Sequence, residues 1–149
     1  MAAVEDLVVD SGVTIKWFVD EPHQERARDI FEGRRAGLLR LLAPDLIYAE
    51  FGNVLWKKHS FQGLSPDDAG AALSAFRRLP LLITPAADLL DEAYRLAVAH
   101  RRSVYDALYL ALSRREGCRF VTADERLVNA AGGAFPNIVH IADWNTPRA

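Results

Sequence analysis

Short apolar runs alternate along this chain with longer amphipathic stretches, and no other feature restricts the fold as much. Leu7–Val9, Leu38–Ala43, Leu81–Thr84, Arg119–Thr122 and Ile138–Ile141 are too short for stable helices and read as buried strands. Between them lie segments with helical spacing. Val13–Phe18 suits a short helix, ended near Glu21-Pro22 because proline disfavours helical geometry in the residue before it. Pro22–Arg35 places Ala27, Ile30 and Phe31 on one face and stops near Gly37. Pro44-Asp45 opens a helix through Lys57 or Lys58, with Asp45 near the positive end of its dipole. Ser65–Arg78, Ala86–His100, Ser103–Arg115 and Glu125–Ala130 complete the set. Strands separated by helices pair in parallel, so the expected fold is α/β: a mainly parallel sheet of four to five strands, helices on both faces. With 149 residues and no linker, repeat or low-complexity tract, the chain is expected to form one domain, residues 1–149.

Four acidic residues stand where apolar sequence would serve packing better. Asp10 closes Leu7-Val8-Val9, and Asp124 follows Phe120-Val121-Thr122-Ala123, so both fall at carboxyl ends of expected strands. Ligands of open parallel sheets bind at that edge, near a topological switch point. Glu50 lies one turn after Leu46 and one before Val54, on a helix face expected to be buried. Asp106 opens the apolar pattern Ala107–Leu112. Each acid also has a local structural reading. Asp106 fits the third position of a capping box begun by Ser103 and would reach back to the Ser103 amide. Asp124 suits a helix N-cap, Asp10 a turn before Gly12, and Glu50 an ion pair with a neighbouring helix. Taken together, clustered carboxylates repel one another and raise each other's pKa unless a cation joins them. Oxygen donors alone favour Mg²⁺ or Mn²⁺, ions suited to phosphoryl chemistry.

Charge and composition narrow the alternatives. A net charge of −2 argues against a protein held on nucleic acid by bulk electrostatics, while leaving room for a local basic surface. Cys118 is the only cysteine, which excludes an intrachain disulfide and multi-thiolate zinc. His23, His59, His100 and His140 lack ligand spacing and read as surface residues. The start, Met1 to Asp6, has no basic region followed by an apolar one, and no run is long enough to span a bilayer, so a cytoplasmic location is the default expectation. There is no nucleophile elbow, P-loop or GxGxxG.

Four segments resemble, in order, the motifs of the PIN-domain ribonucleases, in particular the VapC-type toxins of bacterial and archaeal toxin–antitoxin systems. They are Val8-Val9-Asp10-Ser11-Gly12-Val13, Ala43-Pro44-Asp45-Leu46 with Glu50 and Asn53, Tyr105–Leu112, and Phe120–Leu127. The resemblance covers nearly the whole chain and implies a PIN-like, Rossmann-like domain. It implies that Asp10, Glu50, Asp106 and Asp124 bind Mg²⁺ or Mn²⁺, that Ser11 and Thr122 are pocket hydroxyls, and that Asn53 is a polar neighbour. The implied reaction is hydrolysis of an RNA phosphodiester by a metal-activated water, in a homodimer inhibited by a cognate VapB-like antitoxin. Gly12 departs from the pattern, where a small residue with a β-carbon is expected.

Lys16, Arg34, Arg35, Lys57, Lys58, Arg101, Arg102, Arg114 and Arg115 are candidates to meet RNA, although each pair also suits a solvated helix end. Trp17 and Phe18 suit base stacking or, more simply, core packing. Two other classes compete. A haloacid-dehalogenase-like phosphatase needs an acid two residues after Asp10, where Gly12 stands. A non-catalytic PIN fold binding RNA or protein would leave the four acids without a task.

Overall fold

The computed structural model describes residues 3–148; Met1, Ala2 and Ala149, part of the expected domain, lie outside the described residues. In chain order the elements are β1 (Glu5–Val9), α1 (Ser11–Thr14), a 3₁₀ turn (Ile15–Trp17), α2 (Gln24–Arg35), β2 (Leu39–Pro44), α3 (Leu46–Gln62), α4 (Pro66–Arg77) and β3 (Leu82–Thr84). They continue with α5 (Ala86–His100), α6 (Val104–Glu116), β4 (Arg119–Thr122), α7 (Glu125–Ala131), β5 (Ile138–His140) and a second 3₁₀ turn (Ile141–Asp143).

The five strands form one sheet in the order β3-β2-β1-β4-β5, every neighbour parallel. The chain winds outward from β1 through β2 to β3. It then crosses back by α5 and α6 to lay β4 on the other side of β1. The strand order therefore reverses between β1 and β4, and a crevice opens at their carboxyl ends.

Both faces of the sheet are covered, and alternate residues of a strand serve opposite layers. Val8, Leu42 and Phe120 pack with α3, α4, α5 and α6. Leu7, Val9, Leu41 and Val121 point the other way, toward α2 and Trp144. Phe51 and Phe76, stacked with centroids 3.9 Å apart, join α3 to α4. Among the described residues no helix is long and apolar enough to cross a membrane.

Several boundaries differ from expectation for identifiable reasons. Pro22 is outside α2, because His23 takes a left-handed φ of 64° before the helix begins at Gln24. Helix α3 runs a turn further than expected, to Gln62, and stops where Gly63 adopts φ 77°. Pro44 ends β2 instead of entering the helix. Asp45 does not cap its own helix; its Oδ1 accepts the Ala86 amide at 2.9 Å and closes the start of α5. Trp17 and Phe18 belong to packing: the Trp17 indole donates to the Ala27 carbonyl at 2.7 Å, and Phe18 meets Phe51 and Phe76 edge-on. His23 and His59 are exposed as expected, but His100 and His140 are half-buried, His140 accepting the Ala142 amide.

Candidate active site

Register places the first two acids. Val9 of β1 is level with Val121 of β4, so the next residues, Asp10 and Thr122, leave the sheet side by side. The chain turns directly into α1 after Asp10, whose Oδ1 accepts the Val13 amide at 3.0 Å as an N-cap. Its other oxygen accepts the Thr122 hydroxyl at 2.5 Å. The Thr122 hydroxyl in turn accepts the Asp124 amide at 3.1 Å, and Asp124 caps α7 by accepting the Leu127 amide at 3.2 Å. The local reading of Asp124 as an N-cap therefore holds alongside the meeting of the two acids, and Asp10 caps α1 where a turn was expected. One hydroxyl links the two acids.

Helices behind the sheet deliver the other two. Glu50 is half-buried and lies beside the deepest stripe of α3, which is Ile47, Phe51 and Leu55, displaced one residue from the face expected. No arginine or lysine pairs with it among the described residues; the Tyr109 hydroxyl of α6 donates to its Oε1 instead. Ser103 caps α6 by accepting the Asp106 amide at 3.1 Å. Asp106 does not return the bond as a capping box would: its Oδ2 accepts an Arg102 N–H at 3.1 Å.

Asp10, Ser11, Gly12, Glu50, Asp106, Tyr109 and Asp124 all line one cavity of about 310 Å³ at this edge, with Phe120, Ala123 and Leu127 closing its walls. Ser11 thus sits at the cavity, whereas Thr122 is wholly buried behind Asp10. Asn53 is exposed and outside the lining. Gly12 leaves room: a β-carbon there would come no closer than 3.4 Å to Asp10. Tyr109 lies within the Tyr105–Leu112 segment, but sequence alone assigned it no role. Its signal was the spacing Asp106-x-x-Tyr109, which puts both on one helix face.

The electrostatics follow from burial and crowding. Desolvation lifts the Asp10 carboxyl from its ordinary 3.8 to about 7; the Thr122 and Val13 bonds oppose this, and the charges of Glu50 and Asp124 add to it. Glu50 is also raised, first by burial, with Asp106 adding and the Tyr109 hydroxyl opposing. Burial raises the Tyr109 phenol, and Glu50 raises it further, so it stays a donor.

Among the described residues no three acidic, histidine or cysteine side chains are close enough together to hold a metal ion among themselves. The donor set still fits a hard divalent cation that retains much of its water: the cavity offers carboxylate oxygens from four elements and neither imidazole nor thiolate.

The basic candidates separate in space. Lys16 is 5% exposed and so is not a surface contact; burial lowers its pKa, while Glu21 and Asp10 counteract. Lys58 pairs with Glu21 at 3.6 Å, Arg114 with Glu92 at 3.9 Å and Arg35 with Glu32 at 3.3 Å. Of the nine, Arg102 alone bonds an acid that lines the cavity.

Comparison with known proteins shows the family and the fold. The PIN domain profile matches residues 7–133. The chain is 31% identical over 139 residues to Ribonuclease VapC3 of Pyrobaculum aerophilum, covering 89% of this chain and 97% of that one. A crystal structure of a Pyrobaculum aerophilum protein matches with a TM-score of 0.62 and 25% identity, across 95% of this chain and 93% of the other. A chain in a toxin–antitoxin complex from Klebsiella pneumoniae shares the fold at 18% identity, with a TM-score of 0.61 over 91% of this chain and 97% of that chain.

Proposed function

We propose, from the fact that the chain belongs to the PIN-domain family, that this protein is an endoribonuclease and the toxin of a toxin–antitoxin pair, dependent on Mg²⁺ or Mn²⁺. The observation that carries the reading is the convergence of four carboxylates from four separate elements on one cavity at the switch point of the sheet. The names of its relatives support the RNA substrate and the antitoxin partner. Asp10, Glu50, Asp106 and Asp124 would hold the cation. Bound there, a divalent ion polarises a phosphodiester, lowers the pKa of water and stabilises the leaving oxygen.

The side chains themselves supply the rest. Asp10, with its pKa near 7, shares its site with a proton at neutral pH and yields that proton when positive charge arrives. Thr122 orients Asp10, and Tyr109 orients Glu50, so two of the acids face the cavity in fixed rotamers. Ser11 offers a hydroxyl at the cavity wall. Leu90, Tyr94 and Val98, spaced four apart on α5, are 52%, 61% and 64% exposed, an apolar stripe that a second copy of the chain would cover in the homodimer.

Incubation of the purified protein with total RNA tests the nuclease reading. Cleavage is expected in Mn²⁺, is abolished by chelator and is lost in Asp10→Asn and Asp106→Asn. Equal cleavage by either variant, or indifference to chelator, refutes the assignment. Equilibrium sedimentation tests the dimer, and co-purification with the product of a short upstream reading frame tests the antitoxin.

A further inference from the structure

Arg102, a half-buried arginine, is not paired as such a guanidinium ordinarily is. Its guanidinium meets Asp106 through a single N–H at 3.1 Å, not as the two-point fork that arginine and carboxylate favour. Its Nε is fully buried, with no hydrogen-bond partner among the described residues. A buried donor left without an acceptor gives up its hydrogen bond to water with nothing in return, so such groups call for an explanation. The backbone beneath is held in place: Arg101 takes a left-handed φ of 53°, and the Arg102 amide donates to the Ala97 carbonyl at 3.1 Å. The side chain therefore starts from a fixed point beside the cavity, one turn before Asp106.

We propose that Arg102 binds a non-bridging phosphate oxygen of the RNA, and that its bond to Asp106 is a resting position which a cation must displace. This rests on the nuclease reading above. In the free protein the guanidinium neutralises one of four crowded carboxylates and occupies its Oδ2. A cation held by Asp106 would release Arg102 with its donors free, beside the cavity where a phosphate would sit to be cut. Phosphate presents the paired acceptors that the guanidinium fork matches and that Asp106 in its present pose does not. Cation and RNA then strengthen each other's binding, since each favours the released arginine.

Two measurements on Arg102→Met test this, with thermal unfolding to verify the fold. Free Mn²⁺ counted by electron paramagnetic resonance, without RNA, should show about three- to tenfold tighter Mn²⁺ binding than in the unaltered protein. Anisotropy of a fluorescent single-stranded oligoribonucleotide of mixed sequence, in Ca²⁺, should show binding weakened by about tenfold. A merely structural arginine would not move the two affinities in opposite directions. Arg102→Lys, which keeps the charge without the fork, should bind Mn²⁺ as the unaltered protein does but lose RNA affinity; it carries the test should the methionine variant not fold. The proposal fails alone if the unaltered protein binds both probes and Arg102→Met leaves either affinity unchanged, or if lysine replaces arginine without loss of RNA binding. Absence of Mn²⁺ and RNA binding in the unaltered protein overturns the nuclease reading and this proposal together.

Discussion

The Thr122 hydroxyl donates to Asp10 across the β1–β4 pair, at the one place in the sheet where strand order reverses. The same oxygen accepts the Asp124 amide, so a single buried hydroxyl sets the orientation of one acid and the backbone of another. Replacing it with an isosteric methyl should be costly. Thr122→Val is expected to lose about 1–2 kcal/mol, because the half-buried Asp10 carboxyl loses its donor and the Asp124 amide loses its acceptor. RNA cleavage should fall with it. Thr122→Ser keeps the oxygen and should restore most of both. Denaturant unfolding of the two variants checks this, and a valine variant as stable as the serine one refutes the linkage.

The raised pKa of Asp10 makes a pH-dependent prediction. Between about 4 and 7 the folded protein keeps a proton that the unfolded chain has released, so stability falls as pH rises through that window and stays low above it. Asp10→Asn removes the penalty while retaining an oxygen for the Val13 amide. In metal-free buffer at pH 8 the variant should melt roughly 2–8 °C higher, corresponding to about 1–2 kcal/mol, with the gap shrinking at pH 5. Asp124→Asn, still a good N-cap, should be neutral or mildly stabilising. Scanning calorimetry at both pH values decides; a lower melting point for Asp10→Asn at pH 8 contradicts the crowding account.

Tyr109→Phe removes the donor to Glu50 and keeps the ring stacked on Phe120 at a centroid distance of 5.6 Å. Glu50 is only half-buried, so water can replace the lost bond and stability should change by about 1 kcal/mol or less. Catalysis should suffer more, by roughly tenfold in cleavage rate, because Glu50 then samples several rotamers. Equal losses of stability and activity would make Tyr109 a packing residue instead.

Asp45→Ala serves as a contrast. Asp45 accepts the Ala86 amide and is not part of the cavity lining, so its loss should cost about 1 kcal/mol, like other helix caps, and leave RNA cleavage unchanged. Reduced cleavage in a folded Asp45→Ala protein would show that the position of α5 reaches the site.

The alternation of strands and helices was legible because periods of two and of 3.6 residues are local properties, written into every few residues. The acids were legible for a related reason: a carboxylate within an apolar pattern is conspicuous wherever its partners lie. The caps formed by Asp124 and Ser103 are equally local. What could not be read was which side chains meet across elements. Tyr109 and Glu50 are 59 residues apart, and only the packing of α3 beside α6 brings phenol to carboxylate. Asp45 was placed by sequence only near the start of its own helix, and its bond to the Ala86 amide, 41 residues on, came from the packing of the sheet. Lys16 looked like a surface charge, and Arg102 like one basic residue among nine. Sequence periodicity determined the elements and singled out the acids; tertiary packing alone decided their partners, because contacts between distant segments depend on how whole layers settle against one another.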